Sequence, residues 1–464
     1  MRYHMIRDAQ RRAVVATMCL AASVASAAAQ APSDSAIRAI LRERIDAGTV
    51  KGMVVGVIDA DGRRRVVSYG TSGVPGLALD GNTVFEIGSI SKTFTNTILA
   101  TMVLKGEVQL DDPIQKYLPA SVKAPSRNGR AITILDLATA SSGLPRMPDN
   151  FKAANPRNPY ADYSVQQMYD FLSSYALPRD PGAQYEYSNL GMGLLGHLLA
   201  LRAGKSYEAL LTERVLSPLA MNDTRITLTP AMAARFAQGF DEAGNAKDPW
   251  DLPTLAGAGA IRSTVNDMLT YLAAQKDTVH GPLARAIALT HHNMRPGPNA
   301  GIAMGLGWHL LTPHGRPVVF HDGGTGGYHA FIAVDAVTGS NAVILANSTA
   351  NIDDIGVHLV DAGVPLTKPP KALTEVAVSP AVLAAYPGTY QIAPTFSLVV
   401  TLDGPSLSVQ ATGQPKFPLF AESETRFFLK VVDAQLTFEK DAGGKVTAVT
   451  LTQGGASQRA ARVP

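Results

Sequence analysis

The chain has 464 residues, of which 46% are hydrophobic and 17% are charged, and its formal net charge is +3. This composition is typical of a globular protein with a large core or two domains, and it excludes extended disorder. The sequence contains no basic stripe, so a nucleic-acid-binding function is also excluded.

The first 29 residues are typical of a signal peptide. Four arginines lie among the first 12 residues, and residues 13–24 form an apolar run that is too short to span a bilayer. Small residues follow near Ala29, where cleavage is expected. We therefore expect an exported protein, periplasmic or secreted, with no membrane segment in its mature chain. Its net charge would be close to zero, and it would lack cysteine, because Cys19 is the only one. An uncleaved anchor is the alternative.

The next segments predict a helix and then a hairpin. Residues 33–47 have the pattern of an amphipathic helix, and residues 53–70 form two β-rich runs around Asp61-Gly62, a common hairpin turn. From residue 89 to about 275 the pattern is mostly helical. The long loop 144–163 interrupts it, and a loop of that length usually shapes a site or a lid.

Strand patterns return between residues 301 and 348, and residues 351–363 predict a closing helix. Strands at both ends of a helical middle indicate an α/β (α+β) domain over residues 33–363. Its antiparallel sheet would be shared between the N- and C-terminal parts, with a helical region inserted. A Pro-bearing linker (364–380) then leads to alternating strands that predict a small antiparallel β domain over residues 381–464.

The stretch FEIGSISK places Ser89 three residues before Lys92, where a helix begins. Residues three apart share a helix face, and the first turn carries free N–H groups and the positive end of the helix dipole. A buried lysine loses its proton easily and can activate a hydroxyl. The alternative is a helix cap followed by a surface lysine. Ser91 is the rival nucleophile.

Two further motifs contain polar groups. Tyr187-Ser188-Asn189 precedes a very apolar helix, where a tyrosine near an ammonium group can have a depressed pKa and move protons. The alternative is a turn with a helix cap at Asn189.

His321-Asp322-Gly323 ends a β-rich run and more glycines follow, which would let a substrate approach the strand closely. A Gly-rich hairpin is the alternative there.

In this order, FEIGSISK, the Tyr-x-Asn triplet and the His-x-Gly strand resemble the serine β-lactamase and penicillin-binding protein superfamily, and the class C β-lactamases most closely. The resemblance covers most of residues 35–350 and extends to ITILDLATASSGLP, VLSPLAMNDT, GAGAIRST, GLGW and VILAN. It implies a β-lactamase-like fold. The C-terminal β domain is similar to barrel-like extensions found in some members.

The resemblance also implies the catalytic roles. Ser89 would attack a carbonyl to form an acyl-enzyme, Lys92 would be its base, and Tyr187 would carry the proton to the leaving nitrogen. The backbone N–H groups of Ser89 and Gly324 would form the oxyanion hole. Asn189 would hold the substrate amide. The substrate strand would be lined by three residues, His321, Gly323 and Thr325. No cofactor and no metal is implied.

Two departures from the class C pattern concern the substrate. Class C enzymes typically have Lys-Thr-Gly where this chain has His321-Asp322-Gly323, so a permanent positive charge is replaced by a histidine that is mostly neutral at pH 7. Arg146 stands near the place of an amide-binding glutamine and could meet a carboxylate instead. The orientation of Asp322 is left open.

Several substrates are consistent with an acyl-enzyme mechanism at Ser89. Hydrolysis of β-lactams is the closest activity, followed by cleavage of D-alanyl or other D-amino-acid peptides and then of small esters. A sensor that acylates once, or only docks cell-wall peptides, is an alternative from another class. The β domain could gate large substrates or mediate oligomers. The His291-His292 pair is expected in a solvated loop.

Overall fold

The computed structural model describes residues 31–275, 282–335, 337–368, 375–394, 396–429, 434–453 and 456–463. The predicted signal peptide and Cys19 lie outside these residues. The chain forms two compact units. One comprises the described residues up to Ile45 with Thr49–Thr367, and the other comprises Asp46–Gly48 with the described residues from Lys368 on.

The first unit alternates between strands at its two ends and helices in its middle. Its first half contains α1 (Asp34–Asp46), β1 (Gly52–Ile58), β2 (Arg64–Gly70), β3 (Val84–Glu86), α2 (Ser91–Leu104), β4 (Ser126–Arg127), β5 (Arg130–Ala131), α3 (Ile134–Ala138), α4 (Val165–Ser174), α5 (Asn189–Ala203) and α6 (Tyr207–Leu211). Its second half contains α7 (Pro230–Ala233), β6 (Gly239–Phe240), β7 (Ala246–Lys247), α8 (Ala256–Gly259), β8 (Arg262–Thr264), α9 (Val265–Ala273), α10 (Pro282–Thr290), β9 (Arg295–Pro296), β10 (Ile302–Met304), β11 (His309–Leu311), β12 (Val318–Gly324), β13 (His329–Asp335), β14 (Asn341–Ala346) and α11 (Asp353–Val360).

An eight-stranded antiparallel sheet organises this unit, in the order β2-β1-β14-β13-β12-β11-β10-β9. β1 from the N-terminal part pairs with β14 from the C-terminal part, with Met53 opposite Ala346. All residues of these two strands are buried, and such strands are rich in valine, isoleucine and leucine when both faces are covered. The prediction of a sheet shared by both ends, around a helical insertion, is confirmed.

The first hairpin turns at Asp61-Gly62, as the sequence predicts. Asp61 Oδ1 accepts a hydrogen bond of 2.9 Å from the backbone N–H of Arg63, and Gly62 has a φ of 88°, which favours glycine. β1 and β2 then pair in register, with Ile58 opposite Arg64. The helix and hairpin predicted for residues 33–70 are therefore present.

Two apolar layers enclose the sheet. One lies among the sheet and the inserted helices and includes Phe94, which stacks on Tyr271 with ring centres 4.0 Å apart. The other contains residues of α1, β1, β13, β14 and α11, such as Ile37 and Phe331. α2 belongs to the first layer and is buried over nearly its whole length, so it is a rigid support for the residues at its N-terminus.

The second unit contains a short helix followed by a closed barrel of eight antiparallel strands. The elements are α12 (Pro380–Leu383), β15 (Gly388–Ala393), β16 (Phe396–Asp403), β17 (Ser406–Ala411), β18 (Lys416–Ala421), β19 (Arg426–Phe428), β20 (Ala434–Lys440), β21 (Val446–Gln453) and β22 (Ala456–Val463). Pairing of β15 with β22 closes the barrel, which removes exposed sheet edges. Tyr386, Phe427 and Phe438 pack together in its core. The all-β prediction for this region is confirmed.

Two details concern membrane contact and the histidine pair. Among the described helices, none is long and apolar enough to cross a membrane.

His291 is half-buried after α10, where its ring lies edge-on to Trp308 at 5.4 Å and its Nε2 is 3.0 Å from Gln275 Oε1. The expectation of a solvated loop is therefore wrong for His291, because Trp308 in the core covers it, whereas His292 is exposed.

Candidate active site

The nucleophile candidate Ser89 lies in a short 3₁₀ turn, Gly88–Ile90, that leads directly into α2. Gly88 begins the turn with a φ of 49°, a left-handed conformation in which a side chain would be strained. The Ser89 hydroxyl is partly exposed and meets Lys92 and Tyr187. Ser91 is fully buried, and its hydroxyl accepts a hydrogen bond from the backbone N–H of Ile261. Ser89 is therefore the serine that is both partly exposed and in contact with Lys92 and Tyr187.

Lys92 is buried, with 3% of its surface exposed, on the first turn of α2. Its Nζ is 2.8 Å from Ser89 Oγ, 3.0 Å from Asn189 Oδ1 and 2.7 Å from the carbonyl oxygen of Ala258. Burial lowers the pKa of Lys92 to about 7; Asp322 opposes the shift and Arg146 adds to it. A large share of Lys92 is therefore neutral near pH 7, and the surface-lysine alternative is wrong.

Tyr187 faces Ser89 from the segment before α5, and its hydroxyl donates a hydrogen bond of 2.6 Å to Ser89 Oγ. The expectation of a depressed tyrosine pKa is wrong. Burial is the largest effect and raises the pKa of Tyr187, whereas the hydrogen bond with Ser89 and the charge of Arg146 act in the opposite direction. Tyr187 thus carries a proton that it can donate.

Asn189 is the first residue of α5, and its side chain points toward the same centre. The helix cap is Ser188, whose Oγ accepts a hydrogen bond of 2.8 Å from the Gly191 N–H. The interpretation of Asn189 as the cap is therefore wrong. Because Ser188 fills that role, the Asn189 amide is available to Lys92 and to a substrate.

The substrate strand β12 passes very close to the nucleophile turn. A Cβ atom on Gly323 would lie 2.1 Å from the carbonyl oxygen of Ile87 and 2.9 Å from the Ser89 nitrogen. A Cβ atom on Gly88 would lie 2.8 Å from the Gly324 nitrogen. Only glycine allows this approach, which brings together the two backbone nitrogens expected to form an oxyanion hole.

His321 and Asp322 are neighbours with different environments. His321 is 2% exposed, and burial lowers its pKa to about 3. Its Nδ1 lies 2.6 Å from the carbonyl oxygen of Asp322, so Nδ1 carries the proton and Nε2 is the acceptor. The Asp322 carboxylate lies near His309 and also near His329 and Asp353. Burial acts to raise its pKa, but the neighbouring histidines lower it below the ordinary value.

Arg146 contributes a positive charge at the mouth of the site. Its guanidinium carbon is 5.1 Å from the centre of the Tyr187 ring, and the residue is exposed. Its backbone carbonyl accepts hydrogen bonds from the N–H groups of Asn189 and Leu190, which fixes the loop to the start of α5. Within the described part of the chain, no carboxylate forms an ion pair with Arg146.

Sequence reasoning did not identify the supports around these groups. Ala258 belongs to the GAGAIRST segment, and its carbonyl holds Lys92. A buried ion pair joins Glu86 on β3 to its cross-strand partner Arg262 on β8. Glu86 also accepts a hydrogen bond from the Trp250 N–H, and burial raises its pKa while Arg262 opposes the rise. In the sequence, the signal for this ion pair was a glutamate three residues before Ser89.

Aromatic side chains from the loop 144–163 and from Trp250 form a cluster near Asn189. Tyr160 packs against Trp250 with ring centres 5.2 Å apart and also against Phe151 at 5.1 Å. A hydrogen bond with Asn189 acts to lower the pKa of Tyr160, although burial raises it overall. Thr325, expected along the substrate strand, is adjacent to Gly324 and its buried hydroxyl contributes to the environment of Glu86.

Comparison with known proteins identifies the family of the chain. The family model described as Beta-lactamase matches residues 37–359. The chain belongs to the β-lactamase family. It is a serine hydrolase of the serine β-lactamase and penicillin-binding protein superfamily, and the resemblance seen in the motifs is confirmed. A second model, a domain of unknown function called DUF3471, matches residues 373–461.

Relatives of this β-lactamase family member are named either as D-alanyl-D-alanine carboxypeptidases or as β-lactamases. The D-alanyl-D-alanine-carboxypeptidase/endopeptidase AmpH of Escherichia coli (strain K12) is 32% identical over 301 residues, which covers 61% of this chain and 76% of that protein. A β-lactamase of Pseudomonas fluorescens is 28% identical over 350 residues, which covers 68% of this chain and 92% of that protein.

Solved structures give the same two names. The β-lactamase/D-alanine carboxypeptidase from Yersinia pestis, complexed with citrate, superposes with a TM-score of 0.62 at 25% identity, over 71% of this chain and 97% of that chain. A class C β-lactamase from Rhodobacter sphaeroides superposes with a TM-score of 0.58 at 25% identity, over 68% of this chain and 94% of that chain.

Proposed function

We propose that the protein is an exported hydrolase that forms an acyl-enzyme at Ser89 and acts on amide bonds, with the β-lactam ring as the closest substrate. One observation supports it most: Ser89 Oγ lies 2.8 Å from Lys92 Nζ and 2.6 Å from Tyr187 OH. Export rests on the sequence of residues 1–29.

Lys92 would act as the general base for acylation. A neutral lysine has two N–H bonds and one lone pair, and two of the three groups around Nζ, Asn189 Oδ1 and the Ala258 carbonyl, are acceptors only. They take both N–H bonds, so the lone pair is left for the Ser89 hydroxyl. Lys92 would receive the Ser89 proton as Oγ bonds to the substrate carbonyl carbon.

The electron pair released from the carbonyl double bond would be stabilised at the oxygen by the N–H groups of Ser89 and Gly324. Each donor of this kind can contribute about 3 kcal/mol to the transition state. When the intermediate collapses, the bond to nitrogen breaks. Tyr187 would give that nitrogen its proton, and Lys92 would return a proton to Tyr187. A water molecule would then attack the acyl carbonyl, with Tyr187 and Lys92 accepting its proton and returning one to Ser89.

Arg146 would bind the carboxylate that penicillins and D-alanyl peptides both carry. It is the exposed positive charge beside Tyr187 without an acidic partner among the described residues. Arginine can bind a carboxylate with two parallel hydrogen bonds. His321 is neutral and presents an acceptor, so it would not attract that carboxylate.

D-Alanyl carboxypeptidase or D-amino-acid peptidase activity is the second candidate. The observation in its favour is the neutral His321 beside Asp322, where class C enzymes typically have a lysine. The names of the relatives from Escherichia coli and Yersinia pestis also include carboxypeptidase activity. Hydrolysis of small esters comes third. A sensor that acylates and turns over slowly is the alternative outside catalysis.

An intact-mass time course of the mature protein with a penicillin tests the proposal, beside Ser89→Ala. We expect a transient adduct of one acyl group on the wild type, with steady loss of the drug, and none on the variant. A long-lived adduct would indicate a penicillin-binding peptidase or sensor. The absence of any adduct would contradict the β-lactam proposal and direct the test to D-amino-acid amides and esters. An adduct on Ser89→Ala would contradict Ser89 as the nucleophile.

A further inference from the structure

We propose that His309, His321 and Asp322 form a binding site for a divalent transition-metal ion such as Zn²⁺, beside the catalytic residues, and that an ion bound there slows acylation. One ligand atom from each of the three side chains lies within 4.8 Å of the other two. The rings of His309 and His321 have their centres 5.2 Å apart. Two imidazoles and a carboxylate are a common donor set for zinc, with a further coordination position left open.

The two histidines are prepared as ligands. The hydrogen bond from His321 Nδ1–H to the Asp322 carbonyl leaves the Nε2 lone pair free, which is the arrangement usual for metal-binding histidines. His309 is 8% exposed, and its Nδ1 is buried without a hydrogen-bond partner. An unpartnered buried nitrogen is costly unless a ligand or a water molecule satisfies it.

Space and charge also fit a small cation. His309 and His321 line a cavity of about 20 Å³, which is roughly the volume that one water molecule requires, and Asp322 lies next to His321 outside this lining. The Asp322 carboxylate offers an oxygen ligand and a negative charge beside the two imidazoles.

The geometry requires only a small adjustment. Zinc bonds of about 2.0–2.1 Å in a tetrahedron place donor atoms roughly 3.3 Å apart. The three donor atoms lie within 4.8 Å of one another, so binding would bring them closer together by up to about 1.5 Å. A second group, Asp322 with His329 and Asp353, shares the carboxylate. There His329 Nε2 is already 2.8 Å from Asp353 Oδ1, so the first group has more unoccupied donors.

The cavity explains the expected effect on catalysis, because Lys92 and Tyr187 also line it. A cation in that position would attract the Tyr187 oxygen and draw it away from Ser89, to which its hydroxyl donates a hydrogen bond of 2.6 Å. This inhibitory part of the proposal rests on the proposed acylation of Ser89, whereas metal binding does not.

The test is a calorimetric titration of the metal-free mature chain with Zn²⁺ alone. We expect one Zn²⁺ per chain, and a loss of affinity of about tenfold or more in His309→Gln and in Asp322→Asn. The exposed His292→Gln is the matched control and should bind as the wild type does. Ca²⁺, which prefers oxygen ligands, should not bind. Circular dichroism and the melting temperature without metal verify that each variant is folded.

Three results would overturn the site: no stoichiometric binding of Zn²⁺, wild-type affinity in both His309→Gln and Asp322→Asn, or loss of binding in His329→Gln while His309→Gln binds normally. The inhibitory role has its own readout, the rate of the penicillin adduct with and without Zn²⁺. An unchanged rate in the zinc-loaded protein would contradict inhibition and leave the site. A protein that binds Zn²⁺ but forms no adduct would contradict the proposed function alone.

Discussion

Lys92 Nζ lies 2.8 Å from Ser89 Oγ, and both residues lie at the N-terminal end of the buried helix α2. The distance suits the proposed transfer of the Ser89 proton to Lys92, and burial lowers the pKa of Lys92 to about 7, where the neutral form is available.

The rate of acylation is expected to rise with pH, with a midpoint of about 7. The pKa of Lys92 is lowered to about 7, and only the neutral form has a lone pair for the Ser89 proton. The measurement is the single-turnover rate of the penicillin adduct across that range. Lys92→Arg is the matched control, because arginine stays charged, and it should be almost inactive at every pH. A flat profile in the wild type would contradict Lys92 as the base.

Tyr187→Phe is expected to slow acylation by about 10² to 10⁴-fold, the usual contribution of a proton-transfer group. The ring remains, and only the hydroxyl that donates to Ser89 is lost. Intact-mass kinetics measure the rate. Tyr185→Phe removes a neighbouring phenol whose hydroxyl is 3.4 Å from His309 Nε2, and should lose far less. Equal losses in the two variants would argue against a specific role for Tyr187.

Arg146→Ala is expected to raise KM about tenfold or more for a carboxylate-bearing substrate, since a charged hydrogen-bonding pair is lost. A neutral ester should show no such rise in KM. The substitution should also move the pH midpoint upward, because the Arg146 charge lowers the pKa of Lys92. Lys152→Ala, which removes a positive charge from the same loop, is the control. A parallel loss for both substrates would contradict carboxylate binding by Arg146.

Gly323→Ala is expected to destabilise the protein by about 1–3 kcal/mol, the usual cost of overpacking. Its Cβ atom would lie 2.1 Å from the Ile87 carbonyl oxygen and force β12 away from the nucleophile turn. Urea unfolding measures the change. Gly324→Ala is the matched control for stability, because a Cβ atom there meets nothing within 4 Å. Equal destabilisation by the two substitutions would contradict the close approach of Gly323.

A shortened chain of residues 30–367 is expected to fold and to form the penicillin adduct at the wild-type rate. The eight-stranded sheet and both of its apolar layers lie within the first unit. Circular dichroism and intact mass measure these outcomes. Loss of folding would show that the barrel stabilises the first unit. A changed substrate preference would instead support a gating role for the barrel.

Much of the fold follows from local patterns in the sequence. The turn chemistry at Asp61-Gly62 predicts the first hairpin, and the buried β-branched runs predict the strands at both ends. The Ser-x-x-Lys spacing places Ser89 beside Lys92, because residues three apart share a helix face. The ordered motifs indicated the family before any distance was known. The roles of the individual site residues stay predictions until the variants are measured.

Only the tertiary structure decided the protonation states and the positions of the supporting groups. The lowered pKa of Lys92 depends on burial, and the Ala258 carbonyl that orients its amino group lies 166 residues away along the chain. The raised pKa of Tyr187 and the neutral His321 have the same cause. Local sequence determines which backbone conformations and side chains are present, whereas desolvation depends on which distant segments cover them. That covering by distant segments turned a lysine, a tyrosine and a histidine of ordinary pKa into the groups of this site.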